Sequence, residues 1–184
     1  MTKERVDVLA YNQGLFDTRE QAKRGVMAGI VINALNGERF DKPGEKISDD
    51  LELMIKGEKL PFVSRGGLKL ARALQAFDIS VLDQTAIDIG SSTGGFTDVM
   101  LQNGAKLVYA VDVGTNQLAW KIRQDDRVVV MEQFNFRYAK PEDFSHDLPT
   151  FASIDVSFIS LALILPALYN ILLEGGQVVA LIKP

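Results

Sequence analysis

The sequence predicts an α/β protein in which a small α+β unit precedes a larger, doubly wound parallel β-sheet. Two observations support this fold class. From residue 64 onward, short apolar runs alternate with helical patterns, which is typical of a parallel sheet covered by helices on both faces. A glycine-rich turn also follows the first of these apolar runs. In such folds, ligands bind at the carboxyl ends of the strands.

The larger part is predicted to contain nine helices and strands. In order they are a helix at 67–77, a strand at 85–90, a helix at 95–103, a strand at 107–112, a helix at 115–123, strands at 127–131 and 150–156, a helix at 160–173 and a strand at 176–183. A doubly wound sheet of this kind continues with at least one further helix and strand. We therefore expect this sheet to be incomplete at its C-terminus.

Residues 1–59 are predicted to form the small α+β unit. A helix begins after Thr18 or Asp17, either of which can cap it, and a strand at 29–33 with a turn at 36–38 follows. Residues 60–63, which contain Pro61, are interpreted as a linker, so that the second domain spans 64–184.

Composition excludes several classes of site. The 184 residues include no cysteine, so disulfides and thiolate metal sites are absent, and the single histidine, His146, cannot build a histidine-rich metal site. A hydrophobic content of 47% is sufficient for a substantial core. Residues 1–7 are charged where a secretory signal would be apolar. We therefore expect no metal and a cytoplasmic setting.

The most informative stretch is Ala86–Thr97 together with Tyr109–Gly114. It is interpreted as two strands that flank a glycine-rich turn, each containing an acidic residue at or near its end: Asp88 and Asp112. Glycines at a strand-to-helix turn let the backbone approach a ligand, and the start of the helix offers free N–H donors. An acid about 20 residues further on suits the hydroxyls of a ribose. The pattern indicates a site for an adenosine cofactor.

The sequence of this turn does not match the two common phosphate-binding patterns. The dinucleotide pattern would require glycine at Ser92, and the phosphate loop would require lysine at Phe96. Ser92 therefore disfavours a nicotinamide-dependent oxidoreductase. Because Asp88 just before the turn would repel phosphates, a cationic cofactor without phosphate fits better. S-adenosyl-L-methionine is the predicted cofactor.

Three further charged residues are expected at the same edge of the sheet: Lys69 near the start of a helix, Asp155 after the fourth strand and Lys183 after the fifth. Each alone has an ordinary structural interpretation, as a surface lysine, a helix cap and a solvated strand end. Their convergence at one edge favours a function.

Basic residues cluster in the small unit. Arg19, Lys23 and Arg24 share roughly one helix face, and Lys3 and Arg5 precede them. On the pattern alone, an ordinary solvated face is an equally good interpretation. However, the succession Gly14-Leu15-Phe16, Thr18–Ala22 and Lys42-Pro43-Gly44 resembles the small RNA-binding module named after ribosomal protein S-four. The resemblance implies that these five basic residues bind RNA, mainly through phosphate and sugar.

The whole chain resembles the TlyA family, which is labelled haemolysin but acts on ribosomal RNA. The resemblance rests on that RNA-binding start, on Val63–Leu70, on Asp88–Thr97, on Ile154–Ser160 and on Leu181–Pro184. It implies an S-four-like domain joined to an FtsJ-like, Rossmann-like methyltransferase domain. The implied reaction is methylation of a ribose 2′-hydroxyl, of cytidine in particular, with ribosomal RNA or ribosomal subunits as partner.

The resemblance also implies roles for individual residues. Three members of a Lys-Asp-Lys-Glu tetrad map onto Lys69, Asp155 and Lys183, with Lys183 as the base, and the glutamate would lie beyond Pro184. Asp112 would hold the ribose of the cofactor and Glu132 would contact its adenine. The methionine side of the cofactor would be shaped by Asp88, Gly90, Ser91, Gly94, Gly95 and Phe96. Asn135 and Arg137 match an Asn-x-Arg pattern of the family without an assigned role.

Two other functions remain open at this point. An RNA-binding assembly factor could keep the fold without methyl transfer, which the missing glutamate favours. A membrane-active haemolysin is suggested by the uncharged run 156–173, which approaches the length of a spanning helix. That run contains Ser157, Ser160, Pro166 and Asn170 and follows the strand–helix alternation, so a buried crossover helix is the simpler interpretation.

Overall fold

The computed structural model describes residues 2–156 and 159–182. The chain divides into two compact units, 1–61 and 62–184. The division falls within the four residues that the sequence predicts as a linker.

The first unit packs two helices on short antiparallel strands. The helices are α1 (Val6–Asn12) and α2 (Arg19–Met27), and the strands are β1 (Lys3–Arg5), β2 (Val31–Asn33), β3 (Arg39–Phe40), β4 (Lys46–Ser48) and β5 (Leu53–Ile55). Strand β2 pairs with β3 and β5, and β1 pairs with β4. Thr18 caps α2, because its hydroxyl accepts a hydrogen bond from the Gln21 N–H at 3.1 Å.

The second unit is built on one five-stranded sheet. Its elements are α3 (Gly67–Ala76), β6 (Thr85–Ile89), α4 (Gly95–Gln102), β7 (Leu107–Val111), α5 (Trp120–Arg123), β8 (Val128–Met131), β9 (Phe151–Ile154), α6 (Leu161–Tyr169) and β10 (Gln177–Ala180). All strand pairs are parallel, in the spatial order β10-β9-β6-β7-β8. The predicted fold class is confirmed.

Side-chain alternation divides the core of this unit into two layers. Ile87 and Ile89 of β6 pack with residues of α6, whereas Ala86 packs with residues of α3, α4 and α5. Since alternate residues of a strand point to opposite faces, Asp88 faces the α3–α4 layer. On β9, Phe151 belongs to that same layer, so Ser153 also faces it. Polar residues from two neighbouring strands are thereby brought to one face.

Several element boundaries differ from the sequence prediction. Only the last turn of the helix predicted at 115–123 is α-helical, since the loop before it contains Asn116 at φ +59°. Helix α6 ends at Tyr169, not at 173, because the Leu173 N–H donates to the Pro149 carbonyl and returns the chain to the sheet. The strand predicted at 150–156 is shorter at both ends, and the one at 176–183 ends at Ala180 within the described residues.

No helix within 2–156 and 159–182 combines the length and the apolar character that a membrane span requires. Among the described residues of the uncharged run 156–173, the nine of α6 form its helix.

Candidate functional site

The site begins where the strand order of the sheet reverses. Strand β6 lies between β7 and β9, so the chain leaves it toward one side of the sheet and later returns on the other. Such a switch point opens a crevice at the carboxyl ends of the strands. Gly90 follows β6 at φ +83°, and a Cβ there would overlap the carbonyl oxygen of Asp155, which follows β9. Glycine is thus required for the two strand ends to meet.

Asp88 lies behind the glycine-rich turn and is fully buried. One of its carboxylate oxygens accepts hydrogen bonds from the Thr97 hydroxyl at 2.7 Å and the Thr97 N–H at 3.1 Å. The other accepts from the Ser153 hydroxyl at 3.3 Å. Asp88 therefore joins β6 to the first turn of α4 and to β9, and we expect it to support the turn from beneath.

The pKa of Asp88 is raised to about 7, chiefly by burial and also by the negative charge of Asp155, and these two effects outweigh the hydrogen bonds from Thr97 and Ser153, which lower it. From the sequence, Asp88 is expected to carry a charge at the turn that repels phosphates. In the structure, however, the carboxyl group is buried and hydrogen-bonded within the protein, and with this pKa it is only about half ionised at neutral pH.

Asp112 follows β7 and is only partly buried. Its carboxylate accepts from the Ser92 N–H at 2.7 Å and from the Gly114 N–H at 2.8 Å. These two bonds orient the carboxylate and leave lone pairs on both oxygens for further donors. The hydroxyls of a ribose are donors of this kind, so the geometry suits the role predicted for Asp112.

A small cavity opens beside Asp112. It is lined by Ser91, Ser92, Asp112, Gly114, Gln117, Leu118, Val130 and Glu132. Apolar side chains from the loop and from β8 face polar groups from the turn, which is the mixture of groups that adenosine sites present, in a volume of about 10 Å³. A larger cleft of about 650 Å³ lies at the opposite edge of the sheet, where β6 and β10 begin, and contains none of the predicted site residues.

Glu132 follows β8 and lies at the edge of the cavity. Its carboxylate accepts from the Asn116 N–H and forms an ion pair with Arg123. These two interactions lower the pKa of Glu132, the bond from Asn116 contributing most, and keep it ionised.

The start of α3 packs closely on the start of α4. A Cβ on Gly67 would lie 2.9 Å from the Gly95 carbonyl oxygen, so only glycine permits this approach. The preceding segment is held by Asp98, a buried acid of α4 that accepts from the Val63 N–H at 2.8 Å. Lys69 lies in the first turn of α3 and is exposed.

The predicted site residues thus fall into three groups. Ser91, Asp112 and Glu132 line the cavity. Gly90, Gly94 and Gly95 allow close backbone approach, and Asp88 and Phe96 are buried beneath the turn. Of the predicted catalytic residues, Asp155 lies beside Gly90 and Lys69 on α3. Lys183 lies outside the described residues.

The basic residues of the first unit are mostly exposed. The Arg5 guanidinium binds both carboxylate oxygens of Asp7, at 3.0 and 2.8 Å. That hydrogen bonding lowers the pKa of Asp7, and the charge of Arg19 lowers it further, so both arginines lie near one carboxylate. Arg24 is 3.9 Å from Glu20 in an exposed pair, and Lys3 and Lys23 are exposed as well.

Four residues that stabilise the site were not predicted from the sequence. Thr97 and Ser153 bind Asp88, Asp98 binds the segment before α3, and Arg123 pairs with Glu132. Signals for two of them were present. Asp98 is an acid inside a short apolar helix, and Ser153 lies two residues from the apolar Phe151 and from Asp155 on the same strand face. Arg123 carries no such signal, because its partner lies on another element.

Comparison with known proteins identifies the second unit. Residues 62–184 match the model of the FtsJ-like methyltransferase family. A Bacillus subtilis protein provisionally named as the rRNA methyltransferase YqxC is 64% identical over 182 residues, which are 99% of this chain and 64% of the relative.

Two further similarities cover the whole chain. A Mycobacterium tuberculosis protein named 16S/23S rRNA (cytidine-2′-O)-methyltransferase TlyA is 42% identical over 183 residues, 99% of this chain and 67% of the relative. A solved structure from Streptococcus thermophilus, provisionally named a hemolysin, is 76% identical in sequence and has a TM-score of 0.79. The match covers 100% of this chain and 66% of the Streptococcus thermophilus chain. The chain therefore spans about two thirds of the length of these relatives.

Proposed function

The chain belongs to the TlyA family of FtsJ-like methyltransferases, and on that basis we propose that it methylates a ribose 2′-hydroxyl of ribosomal RNA, at a cytidine. The methyl donor would be S-adenosyl-L-methionine and the setting the cytoplasm. One observation carries most of the proposal. The glycine-rich turn, the ribose-type acceptor Asp112 and the candidate orienting residue Asp155 all lie at the switch point of one parallel sheet.

The cavity supports the choice of cofactor. Asp112 would accept hydrogen bonds from the ribose, Leu118 and Val130 would contact the adenine, and Glu132 would lie at the adenine edge. Ser91 and the glycines would face the methionine part. When bound, the cofactor supplies an electrophilic methyl group attached to a cationic sulfur.

The residues of the tetrad would prepare the RNA hydroxyl for attack. A ribose 2′-hydroxyl is a weak nucleophile, so its proton has to pass to a base as the new C–O bond forms. In this proposal the amine of Lys183 accepts that proton. Lys69 and Asp155 hold the hydroxyl in line, and much of the rate comes from this alignment.

The first unit would hold the RNA. Lys3, Arg5, Arg19, Lys23 and Arg24 present positive charge, mostly exposed, on a small α+β scaffold. Contacts from such groups go mainly to phosphates, so they position folded RNA more than they read its sequence. The proposed substrate is ribosomal RNA, alone or within a subunit.

The test is to incubate the protein with methyl-labelled S-adenosyl-L-methionine and with separated large and small ribosomal subunits that lack the modification. Label on a cytidine 2′-oxygen is the expected result, and the labelled subunit names the substrate. Label on a base would overturn the proposed chemistry. If the cofactor and RNA both bind without any labelling, the non-catalytic assembly factor becomes the better account.

A further inference from the structure

Arg123 is the residue from which the inference starts. It is the last residue of α5, which is a single turn, and its guanidinium pairs with the carboxylate of Glu132 after β8. The side chain of Arg123 is 27% exposed and that of Glu132 is 18% exposed. Water therefore screens this ion pair less than it screens a pair on the open surface. The roles that the family resemblance implies do not include Arg123.

Glu132 also binds the loop that connects β7 to α5. Its second oxygen accepts from the Asn116 N–H at 2.5 Å. A single carboxylate therefore connects the end of β8, the loop 113–119 and α5. With Arg123 on one oxygen and a main-chain donor on the other, its orientation is determined by groups that belong to the protein.

That same loop runs across the glycine-rich turn. The Ala119 N–H donates to the Thr93 carbonyl at 2.9 Å, and a Cβ on Gly94 would lie 2.8 Å from the Leu118 side chain. At the other end of the loop, the Gly114 N–H donates to Asp112. The loop consequently forms one wall of the cavity, and its position determines how closely that wall approaches a ligand.

Charge gives Arg123 a second effect. Asp112 and Glu132 both line the cavity, and among the described residues Glu132 forms an ion pair, with Arg123, whereas Asp112 forms none. Without Arg123, the negative charge of Glu132 would be uncompensated and would repel the carboxylate of Asp112 more strongly. We expect the loop to open in response.

We propose that Arg123 is a positioning residue for the cofactor, which acts by holding Glu132 and the loop 113–119 against the adenosine side of the cavity. Arg123 would set the affinity for S-adenosyl-L-methionine without touching the reacting atoms. The inference rests on the proposed function, since it assumes that this cavity binds that cofactor.

Titration of the RNA-free protein with S-adenosyl-L-methionine tests this directly. Arg123→Gln should raise the dissociation constant about tenfold to a hundredfold, as expected when a charge-assisted hydrogen bond is lost. Glu132→Gln should raise the dissociation constant by a similar factor. The double variant should bind the cofactor no more weakly than either single variant, because both changes break the same ion pair. Calorimetry gives the affinity, and Trp120, the only tryptophan of the sequence, offers a fluorescence signal from α5 itself.

Arg127→Gln is the matched control. Arg127 pairs with Asp125 shortly before β8, at 2.9 Å, so this variant also loses one arginine ion pair and one positive charge. It should lower thermal stability as Arg123→Gln does but leave the affinity for the cofactor unchanged. Arg123→Lys, which keeps the charge without the forked geometry, should restore part of the affinity.

The outcomes separate the inference from the proposed function. If the unaltered protein does not bind S-adenosyl-L-methionine, the proposed function fails first. If it binds and Arg123→Gln binds equally well, the role of Arg123 is refuted, as it is by fully additive effects of the two single changes. Should Arg123→Gln fail to fold, Arg123→Lys and Glu132→Gln decide, and wild-type affinity in both would reject the inference.

Discussion

Gly90 lies so close to the main-chain carbonyl of Asp155 that a methyl group at residue 90 would overlap that oxygen. The same contact brings the end of β9 against the glycine-rich turn after β6, with the Asp155 N–H donating to the Ile89 carbonyl at 3.0 Å. One backbone contact therefore determines both the shape of the candidate cofactor turn and the place of a candidate orienting carboxylate.

Gly90→Ala should destabilise the second unit by more than about 3 kcal/mol, because the left-handed backbone strain adds to an overlap with main chain that cannot rotate away. Chemical denaturation measures the change. Gly175→Ala is the matched control, since Gly175 has a similar φ of +80° but no atom near the position of a new Cβ. Gly175→Ala should lower the free energy of unfolding by only about 1 kcal/mol. Equal costs at the two glycines would contradict the close contact.

Asp88 should make stability fall as the pH rises from about 4 to 7. Its pKa is about 7 in the folded protein and lies near 4 when the chain is unfolded, so across this range the folded state holds a proton that the unfolded state releases. The free energy of unfolding should fall by about 4 kcal/mol in total, and the fall is complete once the pH exceeds the pKa of the folded state.

Asp88→Asn removes this titration and can keep the bonds to Thr97 and Ser153, with the amide nitrogen donating to the Ser153 hydroxyl. Urea denaturation of both proteins at several pH values gives the difference in stability. We expect the free energy of unfolding of the variant to increase relative to that of the wild type as the pH rises from 4 to 7. Parallel pH profiles would show that Asp88 is charged in the folded state throughout.

Lys183→Ala should strongly slow methyl transfer while binding of S-adenosyl-L-methionine persists, if Lys183 is the base. A general base contributes about 10²- to 10⁴-fold in rate, so the loss should be of that order. The measurement is label transfer to RNA at saturating cofactor, alongside calorimetric binding. Lys121→Ala, which removes an exposed lysine of the same unit, is the control. Normal methylation by the Lys183 variant would assign the base elsewhere.

Reversing the charge at Arg19 and Lys23 together should weaken RNA binding and reduce its dependence on salt, since fewer counterions are released from the RNA. Affinity measured across a salt series gives both quantities. Replacing Lys56 and Lys59 by glutamate changes the net charge equally elsewhere in the first unit and provides the comparison. If both pairs have the same effect, general charge rather than the α2 face attracts the RNA.

Much of the fold could be predicted from local patterns alone. Each strand of the sheet was placed within a few residues, because apolar runs between helical stretches reflect burial on both faces. The helix predicted over 115–123 was mostly wrong, since the Gly114–Asn116 loop leaves the helical conformation and follows the cavity wall. The predicted roles of Lys69, Asp155 and Lys183 stay predictions.

The sequence by itself determined the parallel sheet, the glycine turn and the acid at the end of β7, because these depend on periodicity and on backbone conformations that neighbouring residues specify. Only the tertiary structure decided which polar groups meet. Asp88 and Ser153 are 65 residues apart and become partners through the register of β6 with β9. Arg123 and Glu132 pair because α5 folds back on β8. Such pairings depend on how elements pack, and no local pattern in the sequence specifies that.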